Sequence, residues 1–342
     1  MSFELGWIYL FNIIVNSILS FYTSVFLVLM FVCFLRIKHP RVKNFCYALP
    51  FGKIVLDLFL YRFSDWALAM DINPLLAQVG TRTLSIQINP FFGIQLNMQN
   101  GCTFSLADTI ALSVDPLWIQ WIGVIGLVGS FIALVLFAIR TIRDYQNIRR
   151  IVQSAKPLQR AILRSSLSSL ARKKNIRCLT SDAIHSPCIF GKALLFPRHL
   201  IDILSQAEFE AIIAHELTHL QWKDHVARML CALISAAFWW LGARWWHQCM
   251  ANFQESAADR AIHQFGISKY DLAEAILKTA KNRHNAPLSP AISLIEHPTY
   301  FLNRMQMVLQ IEHDRHSRWR AAQYGLLVLG LSAILFGKMW IF

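Results

Sequence analysis

The 342-residue sequence is short of charge. Asp, Glu, Lys and Arg together make up 15% of it, and hydrophobic residues make up 55%. A typical soluble domain carries about 25% charged residues. This composition argues against an ordinary soluble enzyme and favours a domain combined with several membrane spans.

Acidic residues are fewer than basic residues. The sequence holds 20 Asp and Glu against 33 Lys and Arg, a net charge of +13. No motif that reads nucleic acid accompanies the excess, so we expect no direct nucleic-acid partner. Basic cytoplasmic loops of a membrane protein explain it better.

Paired cysteines are also missing. The seven cysteines are scattered and form no CxxC pair. This spacing excludes a disulfide framework and is typical of ordinary buried thiols in a reduced compartment.

Long apolar runs divide the chain. Residues 7–35 and 116–139 each contain no charged residue and exceed the roughly 20 residues that cross a bilayer. Basic residues follow both runs: Arg36, Lys38, Arg41 and Lys43 after the first, and Arg140, Arg143, Arg149 and Arg150 after the second. Because such residues stay in the cytoplasm, both runs are predicted to cross from outside to inside.

Two spans of the same direction require a return crossing between them. Residues 46–70 must supply it, with Lys53 and Asp57 spaced to neutralise each other on one helix face. The whole pattern predicts a membrane domain 1–140 with an outer loop 71–115, an inside domain 141–323, and a fourth transmembrane helix 324–342. Both termini are then expected outside.

An HExxH motif carries the chemistry. Ser205 and Glu208 form a capping box that begins a helix, so His215 and His219 lie one turn apart on one face. Two imidazoles so placed can share a zinc ion, and Glu216 is turned toward a water molecule at the metal. The alternative is a pair of surface histidines on an amphipathic helix.

The third ligand is expected from a second helix. Glu255 and Asp259 are spaced i, i+4, so Glu255 can complete the zinc site while Asp259 accepts the free ring N–H of a ligand histidine. His225 is closer in sequence but lies on a different helical face from His219.

The segment between these two motifs fixes the side of the membrane. Residues 229–243 are uncharged but span only about 22 Å as a helix, against a bilayer core of about 30 Å. A crossing here would place Glu255 and His219 on opposite sides. The segment must therefore dip in and return, lie in the interface or bury itself in the domain, and the site is predicted to be cytoplasmic.

At this point the sequence resembles a known family. The stretch "SPCIFGKALLFPRHLIDILSQAEFEAIIAHELTHLQWKDH" and the later "ESAAD" resemble the BlaR/MecR-type antirepressor metallopeptidases, gluzincins of bacterial membranes. The resemblance implies four transmembrane helices with a cytoplasmic α+β zinc peptidase domain, and a structural role for Asp224 near the site. β-Lactam sensors of this type continue into a penicillin-binding domain, whereas this sequence stops at Phe342, so β-lactam sensing is not expected.

A later feature resembles the HtpX/CAAX-type membrane peptidases. "EHPTYFLNR" contains His297, Tyr300 and Arg304, and one of these donors could steady the oxyanion of a tetrahedral intermediate. A purely structural loop is the alternative.

Together these features predict a mainly α membrane protein of the bacterial inner membrane that binds one zinc ion per chain and cleaves a protein substrate. By resemblance, that substrate is a transcriptional repressor or the enzyme itself. Two alternatives stay open: a housekeeping protease of the HtpX type, and a non-enzymatic membrane receptor or scaffold. The sequence sets no oligomeric state.

Overall fold

The computed structural model describes residues 2–69, 83–89, 93–99, 116–158, 165–283 and 298–309, together with Gly330. This part of the chain is mostly helical. Its helices are α1 (Ser2–Phe34), α2 (Pro40–Ala69), α3 (Pro116–Ser154), α4 (Ser165–Lys173), α5 (Arg198–Ile201), α6 (Gln206–Trp222), α7 (Asp224–Ala237), α8 (Arg244–Ala261), α9 (Lys269–Arg283) and α10 (Pro298–Leu309). Its strands are β1 (Thr83–Asn89), β2 (Gly93–Gln99), β3 (Lys156–Pro157), β4 (Arg177–Ser181), β5 (Cys188–Phe190) and β6 (Ala193–Pro197).

Two of the described helices are long and apolar enough to cross a membrane. The candidate spans are Ile13–Phe34 in α1 and Gln120–Ser154 in α3. The span predicted to end at residue 139 continues as one helix to Ser154, so the basic residues that follow it extend the same helix. Large apolar side chains of α3 are widely exposed, as expected of a helix that faces lipid.

The predicted return crossing is helical but polar. Residues 46–69 of this predicted crossing fall within α2, which is not among the candidate spans in the described part of the chain, and residue 70 lies outside the described residues. Lys53 and Asp57 form the predicted ion pair, and the hydroxyl of Ser20 in α1 donates to the other oxygen of Asp57. The fourth predicted helix, 324–342, lies outside the described residues except for Gly330, so a four-span architecture stays a prediction.

The uncharged segment 229–243 dips between α1 and α3 and returns. It forms most of α7 and a tight turn before α8 begins. Ser130 of α3 donates to the carbonyl of Ala237 at 2.6 Å, and the Trp240 indole donates to Ser17 of α1 at 2.9 Å. Both partners lie near the middle of the apolar runs. The segment therefore forms a helical hairpin packed against α1 and α3, here called the α7–α8 hairpin, and its position relative to a bilayer stays a prediction.

The hairpin approaches α3 very closely. Gly129 lies against the ring of Trp239, and a Cβ atom at this position would overlap the indole. On the far side, Trp246 of α8 is fully buried, stacks on Tyr47 of α2 at 4.1 Å and donates its indole N–H to the Tyr47 carbonyl. These contacts fix α8, and with it the second half of the site.

A second hydrophobic core joins a small sheet to α6. The strand order is β3-β4-β6-β5, with β4 and β6 parallel and the other pairs antiparallel. β5 and β6 form a hairpin about Gly191, and Phe196 of the buried β6 packs on Phe209 of α6 at 4.8 Å. β5 is the edge strand on the side of α6. Within the predicted outer loop, β1 and β2 form a separate antiparallel hairpin.

Candidate metal centre

Helix α6 presents both histidines. As predicted, Ser205 caps its N-terminus and Glu208 completes the capping box. The apolar positions of the helix are buried against the sheet and α9, which turns His215 and His219 toward α8. Helix α6 ends at Lys223, whose left-handed backbone (φ 56°) redirects the chain so that Asp224 begins α7.

Three ligand atoms converge between α6 and α8. The Nε2 atoms of His215 and His219 are 3.1 Å apart, and Glu255 oxygens lie 3.3 Å from the first and 3.6 Å from the second. Zinc–nitrogen bonds of 2.0–2.1 Å in tetrahedral geometry imply ligand atoms about 3.3 Å apart. The two Glu255 distances belong to different carboxylate oxygens, and the three residues together offer one ligand atom each within 4.8 Å of one another, a donor set that fits a zinc ion.

Each histidine has a carboxylate behind it. His215 Nδ1 lies 2.9 Å from Asp259, and His219 Nδ1 lies 2.9 Å from Asp224. Both carboxylates are buried, with 2% exposure. A carboxylate on Nδ1 keeps the proton on that nitrogen and leaves Nε2 free to bind a metal.

Arginines hold the carboxylates in turn. Arg304 of α10 donates to both oxygens of Asp259, at 2.8 and 3.0 Å. Arg228 of α7 donates to Glu255 at 2.7 Å. These charge-assisted hydrogen bonds offset the electrostatic repulsion between the carboxylates of Asp259 and Glu255.

The third arginine comes from the start of α2. Arg41, in the first turn of α2, donates to Asp224 at 2.7 Å and lies over the Trp222 ring at 4.4 Å. It also approaches the Trp222 carbonyl at 3.4 Å. A single side chain of α2 thus contacts the residue that orients His219.

The carboxylates set the protonation of the metal-free site. Burial alone would lower the pKa of His215, but contacts with Asp259 and Glu255 outweigh it and raise that pKa to about 10. The pKa of His219 is raised in the same way, against burial, by Asp224 and Glu255. Glu255 is shifted the other way: burial would raise its pKa, yet the two histidines and Arg304 hold it well below its ordinary value.

Glu216 differs from the other carboxylates. It is half-buried, and desolvation raises its pKa although both histidines oppose the shift. A carboxyl group with a raised pKa is suited to accept and then return a proton near neutral pH.

The structure brings six predicted residues together: His215, Glu216, His219, Asp224, Glu255 and Asp259. Arg304 donates to Asp259, the carboxylate beside the expected zinc ligand His215. A role for Arg304 in stabilising an oxyanion stays a prediction. His297 lies outside the described residues. The sequence does not predict the contacts of Arg41 with Asp224 or of Arg228 with Glu255. Arg41 belongs to the basic residues that follow the first apolar run, and Arg228 belongs to no recognised motif.

Comparisons with known proteins agree with this site. Residues 81–308 match the family model described as BlaR1 peptidase M56. A protease HtpX homolog of Archaeoglobus fulgidus is 28% identical over 108 residues, covering 29% of this chain and 32% of that protein. The match thus spans about a third of that relative's length.

Proposed function

The chain belongs to the BlaR1 peptidase M56 family, and on this premise we propose that it is a zinc-dependent endopeptidase of a bacterial cytoplasmic membrane. One observation carries the proposal. His215, His219 and Glu255 offer three atoms at the mutual distances of zinc ligands, beside a glutamate with a raised pKa. Three protein ligands, with a position left for water, are typical of catalytic rather than structural zinc.

The residues of the chain have separable roles in this proposal. A bound zinc ion would act as a Lewis acid and bring the pKa of a water molecule in the cleft to about 7. Glu216 takes a proton from the water and returns it to the leaving amine. Asp224 and Asp259 keep the histidine rings oriented, and Arg304 fixes Asp259.

The edge strand β5 supports a protein substrate. Among the described strands it pairs with β6 alone, and it contacts α6, the helix that carries Glu216. Burial, with a contribution from the charge of Glu216, raises the pKa of Cys188 in this strand to about 12. An extended peptide added to β5 would therefore run past the site, in the manner of β-augmentation.

The hairpin supports a cytoplasmic location. Because the α7–α8 hairpin returns, α6 and α8 meet on one side of the membrane. The basic residues after α1 and within α3 assign that side to the cytoplasm by the positive-inside rule. The proposed substrate is therefore a cytoplasmic or membrane-proximal protein, such as a transcriptional repressor or the enzyme itself.

The decisive experiment compares cells that express the wild-type chain with cells that express Glu216→Gln. We expect wild-type cells to accumulate cleavage products that the variant lacks, while the purified variant retains zinc by elemental analysis. Glu274→Gln is the matched control, since Glu274 is exposed on α9 and away from the site. Identical proteomes in the wild-type and Glu216→Gln cells would instead favour a receptor or scaffold.

A second candidate function is housekeeping proteolysis, which the similarity to an HtpX homolog favours. The same proteomic comparison separates the two. A signalling peptidase should yield one or a few products, and a quality-control protease should yield fragments of many misfolded membrane proteins.

A further inference from the structure

A cavity behind the zinc site, lined by Asp259 but by none of the three expected zinc ligands, opens where α2, α8 and α10 meet. Its volume is about 170 Å³. Basic side chains line it: Lys38 from the turn before α2, Lys43 from the first turn of α2, and Arg260 from the last turn of α8. The cavity is therefore assembled from segments far apart in the sequence.

These three cations have no carboxylate partner among the described residues. Lys43 lies over the ring of Phe253 at 5.4 Å, which positions its ammonium group without neutralising it. Asp259 also lines the cavity, but both of its oxygens accept from Arg304. The cavity thus concentrates positive charge that nothing in the described part of the chain offsets, which is the usual signature of a site for an anion.

The position of the cavity indicates the kind of anion. Lys38 lies four residues after the end of α1, whose candidate membrane span also ends at Phe34. The rest of the lining is mostly apolar, with Pro40, Phe253, Met307 and Val308 beside the hydroxyl of Ser256. A basic pocket with apolar walls beside a membrane helix matches an anionic phospholipid, whose phosphate meets cations while its glycerol and chains meet carbon.

We propose that this cavity binds the phosphate headgroup of an anionic phospholipid from the cytoplasmic leaflet. The interaction needs no proteolysis and no metal ligand. It can therefore fail while the peptidase proposal stands, and the reverse is equally true.

The test uses the full-length, zinc-loaded chain in a neutral detergent. Native mass spectrometry would count bound phosphatidylglycerol during a titration, with phosphatidylcholine and inorganic phosphate as separate arms. We expect one tightly held phosphatidylglycerol per chain, weaker binding of phosphatidylcholine, and no displacement by phosphate.

Three variants identify the site. A triple variant with Lys38→Gln, Lys43→Gln and Arg260→Gln should lose affinity for phosphatidylglycerol by about 100-fold, or about fivefold for each charge removed. The charge-retaining triple with Lys38→Arg, Lys43→Arg and Arg260→Lys should bind like the wild type. The matched control removes three exposed charges of α3 through Arg143→Gln, Arg149→Gln and Arg150→Gln, and should also bind normally. Zinc content reports that each variant is folded.

Several results would overturn the proposal. Equal losses in the two glutamine triples would mean diffuse attraction to basic surface rather than a site. Binding of inorganic phosphate without binding of phosphatidylglycerol would assign the cavity to a soluble anion. Absence of any bound phosphatidylglycerol in the wild type would contradict the proposal directly.

Discussion

Replacing Asp224 with Asn should weaken zinc binding without removing a ligand. Asp224 accepts from His219 Nδ1 at 2.9 Å and from Arg41 at 2.7 Å. The substitution keeps the size of the side chain but removes its charge, so the His219 ring is held less firmly and becomes a poorer donor. Loss of such an outer contact typically costs 10- to 100-fold in metal affinity, which corresponds to about 1.4–2.8 kcal/mol.

Asp224 is a cleaner target than Asp259 for this purpose. Arg41 is about one-third exposed and remains stacked on Trp222, so its charge is not stranded when Asp224 is neutralised. Arg304 is only 15% exposed, so neutralising Asp259 would remove the closest ion pair of a largely buried cation and add a folding cost.

The assay is a competitive titration against a fluorescent zinc chelator at fixed pH. Asp144→Asn is the control, because Asp144 lies exposed on α3. Thermal unfolding in excess chelator should give similar midpoints for the wild type and Asp224→Asn. A zinc Kd equal to that of the wild type would refute the orienting role.

Three further predictions concern protons, packing and topology. Carboxylates raise the pKa of His215 to about 10 in the metal-free site, so zinc must displace a proton to bind. The apparent zinc affinity should therefore rise about tenfold per pH unit for each proton displaced between pH 6 and 8. A zinc Kd that does not change with pH would contradict this. Gly129→Leu should overpack the contact with the hairpin and cost about 1–3 kcal/mol in thermal unfolding in detergent, whereas Gly52→Ala, which meets open space, should be neutral. In a cysteine-free background, Asn100→Cys should react with an impermeant reagent in intact cells and Ser181→Cys only after lysis; labelling of the latter from outside would overturn the topology.

The HExxH half of the site was predictable because it is local. Helical periodicity places His215 and His219 on one face whatever the rest of the chain does. Glu255 was predictable for a different reason, because a segment too short to cross a membrane must bring α8 back to α6. The spacing of Glu255 and Asp259 then assigned one group to the metal and the other to a histidine.

The arginines could not be predicted in the same way. Arg41 is 183 residues from Asp224 in sequence, and its pairing depends on how α2 packs against the start of α7. No periodicity reports such a contact. The positive-inside rule already accounts for the basic residues after α1. The sequence therefore gives no reason to expect that one of them, Arg41, also pairs with Asp224. The extension of α3 to Ser154 was missed for a related reason, because hydropathy marks where an apolar run ends but not where a helix ends.

The α7–α8 hairpin ties the assembly of the site to biogenesis. A chain still leaving the ribosome after α6 would carry His215 and His219 but no third donor. Glu255 reaches them only after the hairpin has turned between α1 and α3. The complete donor set therefore exists only after the chain has been made through α8 and the hairpin has packed against the two apolar helices.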